Sequence, residues 1–562
     1  MTIAEALATT GTANFAHLCL DGDGPCDVEA LRSSCLQLID TVPPLRTAYV
    51  FDEARLLQVI LRAYEPDIPI IPVNDTTLEK MTAEIIKRQM SRPPRLGRPF
   101  TEMAIIEDLH SNRYRVVLRL THAEYDAVSM TGIWQQLLSL YEKRPVRPRP
   151  TFASFLYTQR EAINAQTYKY WRGLLHQSVM TPVSLSTETT PPTTIGQYPM
   201  KVEQLRPCTV QLNKTAFQGS TNAMLIKTAW ALVLGKLSAR QDVIFAETAS
   251  TRGTVDESLM DATGCCVSLL PVRAKFTPDS SIQDIVQSLG AQQVESLEHA
   301  QLGFREILHE CTDWPTSTRF TSTINCISDR ADADRTLTAR GARYSVSTSE
   351  DKDATWTVDL GLTAILRNND SQVELRMSFL PGRVSENVAY NYLYSLREIL
   401  ETMTSNPATP VSEILSTGAK KFVSDRKGAS EPRVKVIDQE ETDQPGSEET
   451  MTYMELKRTR HWEEVLGSRR GVSGTQKVKS LSFSQRGGDL LDALWLASLT
   501  QDDGRYISAR SILEGSRAEE NERLALDNHR HKLGVIWAGI RVRYRRVVYA
   551  SRRRRAGGTG AA

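Results

Sequence analysis

The stretch from Tyr114 to Lys143 constrains the fold most. Tyr114, Val116, Leu118 and Leu120 alternate with less apolar partners, the period-2 pattern of a strand with one apolar face. THAEYDAVSM follows directly, and from about Met130 to Lys143 the spacing predicts a helix with Ile133, Leu137, Leu138 and Tyr141 on one stripe. A strand that feeds a helix through a short polar loop is an α/β arrangement, and such loops carry chemistry on a rigid scaffold.

Residues 1 to about 415 read as continuous globular α/β sequence around that segment. A first helix is expected over Asp27–Asp40, with Leu31, Cys35 and Leu38 on one face, and strands over Leu45–Val50, Leu57–Leu61 and Met103–Ile106. Pro145, Pro148 and Pro150 break the chain before a helix at Tyr168–Leu175. A Thr- and Pro-rich stretch over 182–200 reads as a linker between two halves. The second half repeats the style of the first. A helix is expected over Thr221–Leu237, strands over Asp242–Thr248, Cys266–Val272, Arg319–Cys326, Thr355–Leu366 and Gln372–Phe379, and a closing helix over Val384–Met403. Residues 416–452 turn to Lys, Glu, Asp, Gly and Ser without apolar periodicity, as expected of a disordered linker. Helical patterning returns over 453–527, as in a small bundle, and 528–562 form a basic tail expected to be disordered.

At 562 residues the chain exceeds one ordinary domain, and 40% hydrophobic with 24% charged residues excludes wholesale disorder. The net charge of +1 hides an asymmetry: nine Arg and one Lys with no acid after residue 527 leave −9 for the rest. That acidic body argues against a specific nucleic-acid surface. No apolar run approaches the ~18–20 residues that span a bilayer, and the N-terminus has no basic cluster of the kind that opens a signal peptide, so a cytoplasmic location is expected. The eight Cys form no CxxC pair and read as buried thiols rather than a metal or disulfide framework.

His122 and Asp126 form H-x-x-x-D in the loop after the strand. An imidazole there can take a proton from an amine or hydroxyl nucleophile, and a carboxylate four residues on can hold the loop through an Arg or a backbone N–H. On spacing alone, a surface His beside a helix-capping Asp126 or Ser129 explains the residues equally well.

The segment resembles the active-site motif of nonribosomal peptide synthetase condensation domains, members of the chloramphenicol-acetyltransferase-like acyltransferases. Thr121 stands in the place of the first His of the bacterial form, His122 in the second, and Asp126 is followed by Ala127 where Gly is usual. Ser129, three residues after the Asp, is similar to the fungal terminal pattern. Pro44-Leu45-Arg46-Thr47, Tyr170-Trp171-Arg172, Asp242-Val243-Ile244-Phe245 with Arg252, and Gly264-Cys265-Cys266-Val267-Ser268-Leu269-Leu270-Pro271-Val272-Arg273 resemble further family segments in the family's order, with Thr251 for Gly, Cys265 for Pro and Ser268 for Asn. The likeness covers about residues 18–410. It implies two similar lobes in a V shape, 1–180 and 181–415, with a tunnel between them. His122 would orient or deprotonate the acceptor, and Asp126 would pair with Arg252. The family's S-x-x-Q opening is not found, which reads as a shortened N-terminus, and no adenylation core is visible.

Phe483-Ser484-Gln485-Arg486-Gly487-Gly488-Asp489-Leu490-Leu491 resembles the carrier-protein motif in which a Ser receives 4′-phosphopantetheine, and that place is Leu490. Leucine has no hydroxyl to esterify, so the resemblance implies a carrier without its arm, a chain that binds no cofactor of its own, and substrates that arrive on the 4′-phosphopantetheine of partner carrier domains. Two other functions stay open: a free-standing enzyme that uses acyl-CoA donors, and a non-catalytic docking protein or synthetase remnant.

Overall fold

The computed structural model describes residues 15–416, apart from 53–54, 75–76, 93–95, 184–201, 213–216, 218–219, 278, 316–317, 329–335, 340–341, 351–357, 369 and 406–408, together with Leu496. The expected linker at 416–452 beyond its first residue, the bundle at 453–527 apart from Leu496, the tail at 528–562 and position Leu490 lie outside the described residues.

Two mixed sheets carry the fold. The first has six strands in the order β12-β13-β1-β6-β5-β4: β1 is Phe15–Asp23, β4 Ile70–Val73, β5 Glu102–Asp108, β6 Arg113–Thr121, β12 Thr336–Ala339 and β13 Ala342–Glu350. One face packs on α1 (Val28–Thr41) and α3 (Ala127–Tyr141), where Leu18, Leu20, Val116, Leu118 and Leu120 meet Leu31, Leu38, Ile133 and Leu137. On the other face, Cys19, Ala104, Ile106 and Val117 pack with Leu78 and Ile85 of α2 (Leu78–Met90). The alternation in β6 therefore does not separate core from water. Arg115 lies under α2, where it donates to Thr82 at 3.0 Å and pairs with Asp21 and Glu79, and Arg119 on the same face pairs with Glu102. A small hairpin of β2 (Thr47–Asp52) and β3 (Arg55–Ile60) lies beside this sheet.

The second sheet runs β10-β9-β11-β14-β15-β7, with β8 also on β15. Its strands are β7 (Glu203–Gln204), β8 (Cys208–Gln211), β9 (Asp242–Ser250), β10 (Val267–Lys275), β11 (Ser322–Ser328), β14 (Leu360–Arg367) and β15 (Gln372–Phe379). Its core gathers round α6 (Asn222–Ser238), which is buried almost all round and has Thr221 as its N-cap. Trp230 of α6 meets Tyr392 of α9 (Glu386–Ser405) at 5.8 Å between ring centres.

A cut at 180/181 is the natural reading of the chain, yet the halves exchange pieces in space. The hairpin β12–β13 comes from the second half and lies in the first sheet, with Leu20 opposite Val346. It is anchored by a buried Tyr114–Tyr344 hydroxyl contact of 2.6 Å. Gly22 makes room for that anchor, because a Cβ there would lie 2.4 Å from the Tyr114 ring. In the other direction, α4 (Phe152–Ala162) and α5 (Ala165–Leu175) lean on the second half. Phe155 packs with Leu259, Ala262 and Cys266, and Trp171 packs with Ile244, Leu270 and Leu302. Trp171 also donates to the carbonyl of His299 at 2.9 Å. Helices α7 (Ile282–Glu298), α8 (Phe304–Cys311) and α10 (Val411–Ser416) complete the second half.

Candidate active site

The loop between β6 and α3 lies on the seam between the two halves. The helix after it starts at Ala127, three residues before the apolar stripe predicts, because Asp126 is its N-cap and accepts from the backbone N–H of Ser129 at 2.9 Å. Asp126 is 4% exposed, and its carboxylate faces across the seam to Arg252 just beyond β9. Arg252 Nη2 lies 2.7 Å from both carboxylate oxygens, and Nε lies 3.1 Å from Oδ2. The backbone N–H of Cys266 adds a fourth donor at 3.0 Å.

Every N–H of the Arg252 guanidinium has an acceptor within reach. Nη1 donates to the carbonyls of Met260 and Ala262, and Nη2 also reaches the carbonyl of Gly264. Ser129 Oγ lies 2.8 Å from Asp126 and 2.7 Å from the carbonyl of Gly264, and it accepts from the N–H of Gly264 at 3.0 Å. Gly264 itself has φ +152°, and a Cβ there would strike the ring of Phe152. The result is a buried bidentate pair whose remaining donors and acceptors are satisfied, the condition under which such a pair withstands its desolvation. It ties the loop of the first half to the 260–266 segment of the second.

His122 lies on the outer side of this knot and is exposed. Its ring stacks on Tyr125 at 4.9 Å between centres and 19° between planes. Nδ1 is 3.9 Å from Cys265 Sγ. Asp126 makes no hydrogen bond to His122, because its oxygens are committed to Arg252, Ser129 and Cys266. Asp126 is thus buried within the knot, whereas the His122 side chain is open to solvent. The structure thus brings Asp126, Ser129 and Arg252 into one cluster with His122 at its edge, and Leu490 lies outside the described residues. Among the described residues, no group of three or more His, Cys, Asp or Glu is placed to hold a metal ion, and no helix is long and apolar enough to cross a membrane.

Two residues of the site carry no signal in sequence beyond their place in the motifs. Cys265 reads only as a departure from a family Pro, yet its Sγ lies 3.9 Å from His122 Nδ1. Burial pushes its thiol up to about 11, so only on the order of one thiol in a thousand is ionised at pH 8. Iodoacetamide at pH 8 is therefore expected to alkylate Cys265 on the order of 100-fold more slowly than free cysteine, as peptide mass spectrometry of a time course would measure. The second is Glu124, a carboxyl only 1% exposed beneath the His122 turn. All eight cysteines are free thiols.

The fold that carries this seam is the chloramphenicol-acetyltransferase-like class. The crystal structure of CT aligns at a TM-score of 0.62 with 19% identity, covering 73% of this chain and 91% of that one. The condensation domain of a monacolin K polyketide synthase aligns at 0.57 with 16% identity, covering 73% and 96%. Within that class the chain belongs to the condensation-domain family, which matches it over residues 1–422. The nonribosomal peptide synthetase ecdA of Aspergillus rugulosus is 60% identical over 528 residues, which are 93% of this chain and 7% of that protein. The nonribosomal peptide synthetase gloA of Glarea lozoyensis is 49% identical over 413 residues, 74% of this chain and 6% of that protein. The chain therefore spans less than a tenth of the length of these two fungal relatives.

Proposed function

We propose that the chain joins a thioester-bound acyl or peptidyl donor to an amine or hydroxyl acceptor, and that the donor arrives on the 4′-phosphopantetheine of a partner carrier domain. The observation that carries this reading is the exposed His122, held at the seam by a loop that the buried Asp126–Arg252 pair fixes from behind. In the proposed step the acceptor nitrogen or oxygen forms a bond to the thioester carbonyl carbon, and the carbon–sulfur bond breaks. His122 takes or directs the proton that the acceptor loses, and the departing thiolate leaves with a proton as the free thiol. Most of the acceleration in this reading comes from holding two reactants in line, so little side-chain chemistry is required of the site.

In the same reading residues 453–527 are a carrier relic, because Leu490 has no hydroxyl to receive the arm. Incubation with coenzyme A and a broad phosphopantetheinyl transferase is expected to leave the intact mass unchanged, whereas Leu490→Ser gains the mass of one arm. A mass gain in the unmodified chain would overturn the relic.

The reaction itself is tested by supplying one acyl group either on a separate loaded carrier protein or as its coenzyme A thioester, with an amine acceptor, and following amide formation by mass spectrometry. Faster transfer from the carrier-borne thioester supports the proposal. Equal or faster transfer from the coenzyme A thioester favours a free-standing acyltransferase.

A further inference from the structure

Within H-x-x-x-D the middle residue is Glu124, and its surroundings are unusual for a carboxyl group. The side chain is buried at 1% exposure beneath a loop whose neighbour His122 is exposed. Its Oε2 accepts from the backbone N–H of Thr121 at 3.1 Å, and its own backbone N–H donates to the carbonyl of Thr121 at 2.9 Å. The turn Thr121-His122-Ala123-Glu124 is thus closed twice, once through the main chain and once through the Glu124 side chain. Thr121 is itself fully buried as the last residue of β6 paired to β1, opposite Phe15. The second carboxyl oxygen, Oε1, is buried and makes no hydrogen bond. Such an environment suits an uncharged acid and opposes a carboxylate.

The groups that face Glu124 come from three elements. Arg119 lies two residues back on β6, and its guanidinium is already engaged, with Nη1 2.7 Å from Glu102 and the carbon over the ring of Phe15. Tyr49 of β2 and Tyr64, in the segment after β3, present phenols that Glu124 influences in turn. Neither phenol supplies positive charge, and burial outweighs both the hydrogen bond from the Thr121 N–H and the pull of Arg119, each of which favours the carboxylate. Glu124 is held up to about 8.

We propose that Glu124, in its protonated form, is the positioning residue that fastens the His122 turn, and that loss of its proton loosens the turn. The inference rests on the reading of His122 as the residue that meets the acceptor, and it adds a built-in alkaline limit to that site. Below that limit the Thr121 N–H has a buried partner and the imidazole is presented at a fixed place above Tyr125. Above it, a carboxylate must either draw water into the pocket or leave it, and either movement shifts the backbone on both sides of His122.

The linkage has a definite sign. In the unfolded chain a Glu ionises near its ordinary value, whereas the folded site keeps its proton to about 8. The stability that Glu124 allows is therefore fully present at low pH and is lost progressively as pH rises from the ordinary Glu value through about 8.

The test follows the His122 ring by NMR of the full chain labelled at histidine, with the resonance assigned by its loss in His122→Ala. Between pH 6 and 9.5 the wild-type signal is expected to show an inflection near pH 8, where Glu124 loses its proton. Glu124→Gln, which keeps an acceptor for the Thr121 N–H and carries no ionisable proton, should retain the position of the signal and lose that inflection. Glu124→Ala should shift or broaden the signal at every pH. Thermal melts add an arm independent of His122: Glu124→Gln should gain in midpoint over wild type as pH rises from 5 to 8.5. A His122 signal unchanged by Glu124→Ala, or the same inflection in Glu124→Gln, overturns the inference. The functional reading fails separately, on full transfer activity in His122→Ala.

Discussion

Asp126→Ala is expected to lower the stability of the folded chain by about 3–5 kcal/mol, the cost of leaving a buried charge without its partner. Arg252 is 7% exposed, and its guanidinium is wedged among Asp126, Ser129 and the carbonyls of Met260, Ala262 and Gly264. Without the carboxylate the positive charge remains, and the backbone N–H groups of Ser129 and Cys266 lose their acceptor as well. Arg252→Met should cost a comparable amount for the opposite reason, because it strands a buried carboxylate. Urea denaturation of Asp126→Ala, Arg252→Met and the double variant reads the coupling directly. The double variant should be clearly less destabilised than the sum of the singles. Strict additivity would show that the pair does not act as a unit.

His122→Ala should lower the rate of acyl transfer by roughly 10²–10⁴-fold, the range for a positioned acid–base group, while the fold and carrier binding stay unchanged. The side chain is exposed and its contacts are a ring stack on Tyr125 and a long approach to Cys265, so its removal opens no core cavity. An unchanged melting midpoint beside a lost turnover assigns the effect to chemistry. A measurable loss below tenfold would mean that His122 only orients the acceptor and that proximity supplies nearly all the acceleration, whereas no loss would remove His122 from the reaction. Absence of turnover in both proteins, with carrier binding intact, would favour the docking-protein reading.

Much of the fold was legible because its strands and helices keep their periods. Gln372–Phe379 appears as a strand with the bounds read from sequence, and the helix read over Thr221–Leu237 spans Asn222–Ser238 with Thr221 as its N-cap. The elements that escaped are those whose pattern is blurred by burial on two sides or by a polar helix surface. Strand β1 is buried along most of its length and shows no alternation, and α2 and α7 carry many charged and amide residues. The site was legible in its residue types, since His122, Asp126, Ser129 and Arg252 stand in recognisable segments, and the structure places the last three in one cluster. Glu124 was not legible. Its weight comes from burial beneath the loop, and a lone Glu two residues after a His carries no sign of that.

The exchange of β12–β13 into the first sheet has a consequence for how the chain is made. Strand β1 can pair with β6 once both are synthesised, but the partner of its other edge, β13, follows more than two hundred residues later. At ribosomal speeds of roughly 5–20 residues per second, the edge of β1 stays open for on the order of ten to fifty seconds. During that interval Leu18 and Leu20 sit in a strand with unpaired backbone groups, the kind of edge that invites pairing between chains. A chain interrupted before residue 342 would leave the ribosome with that edge still open.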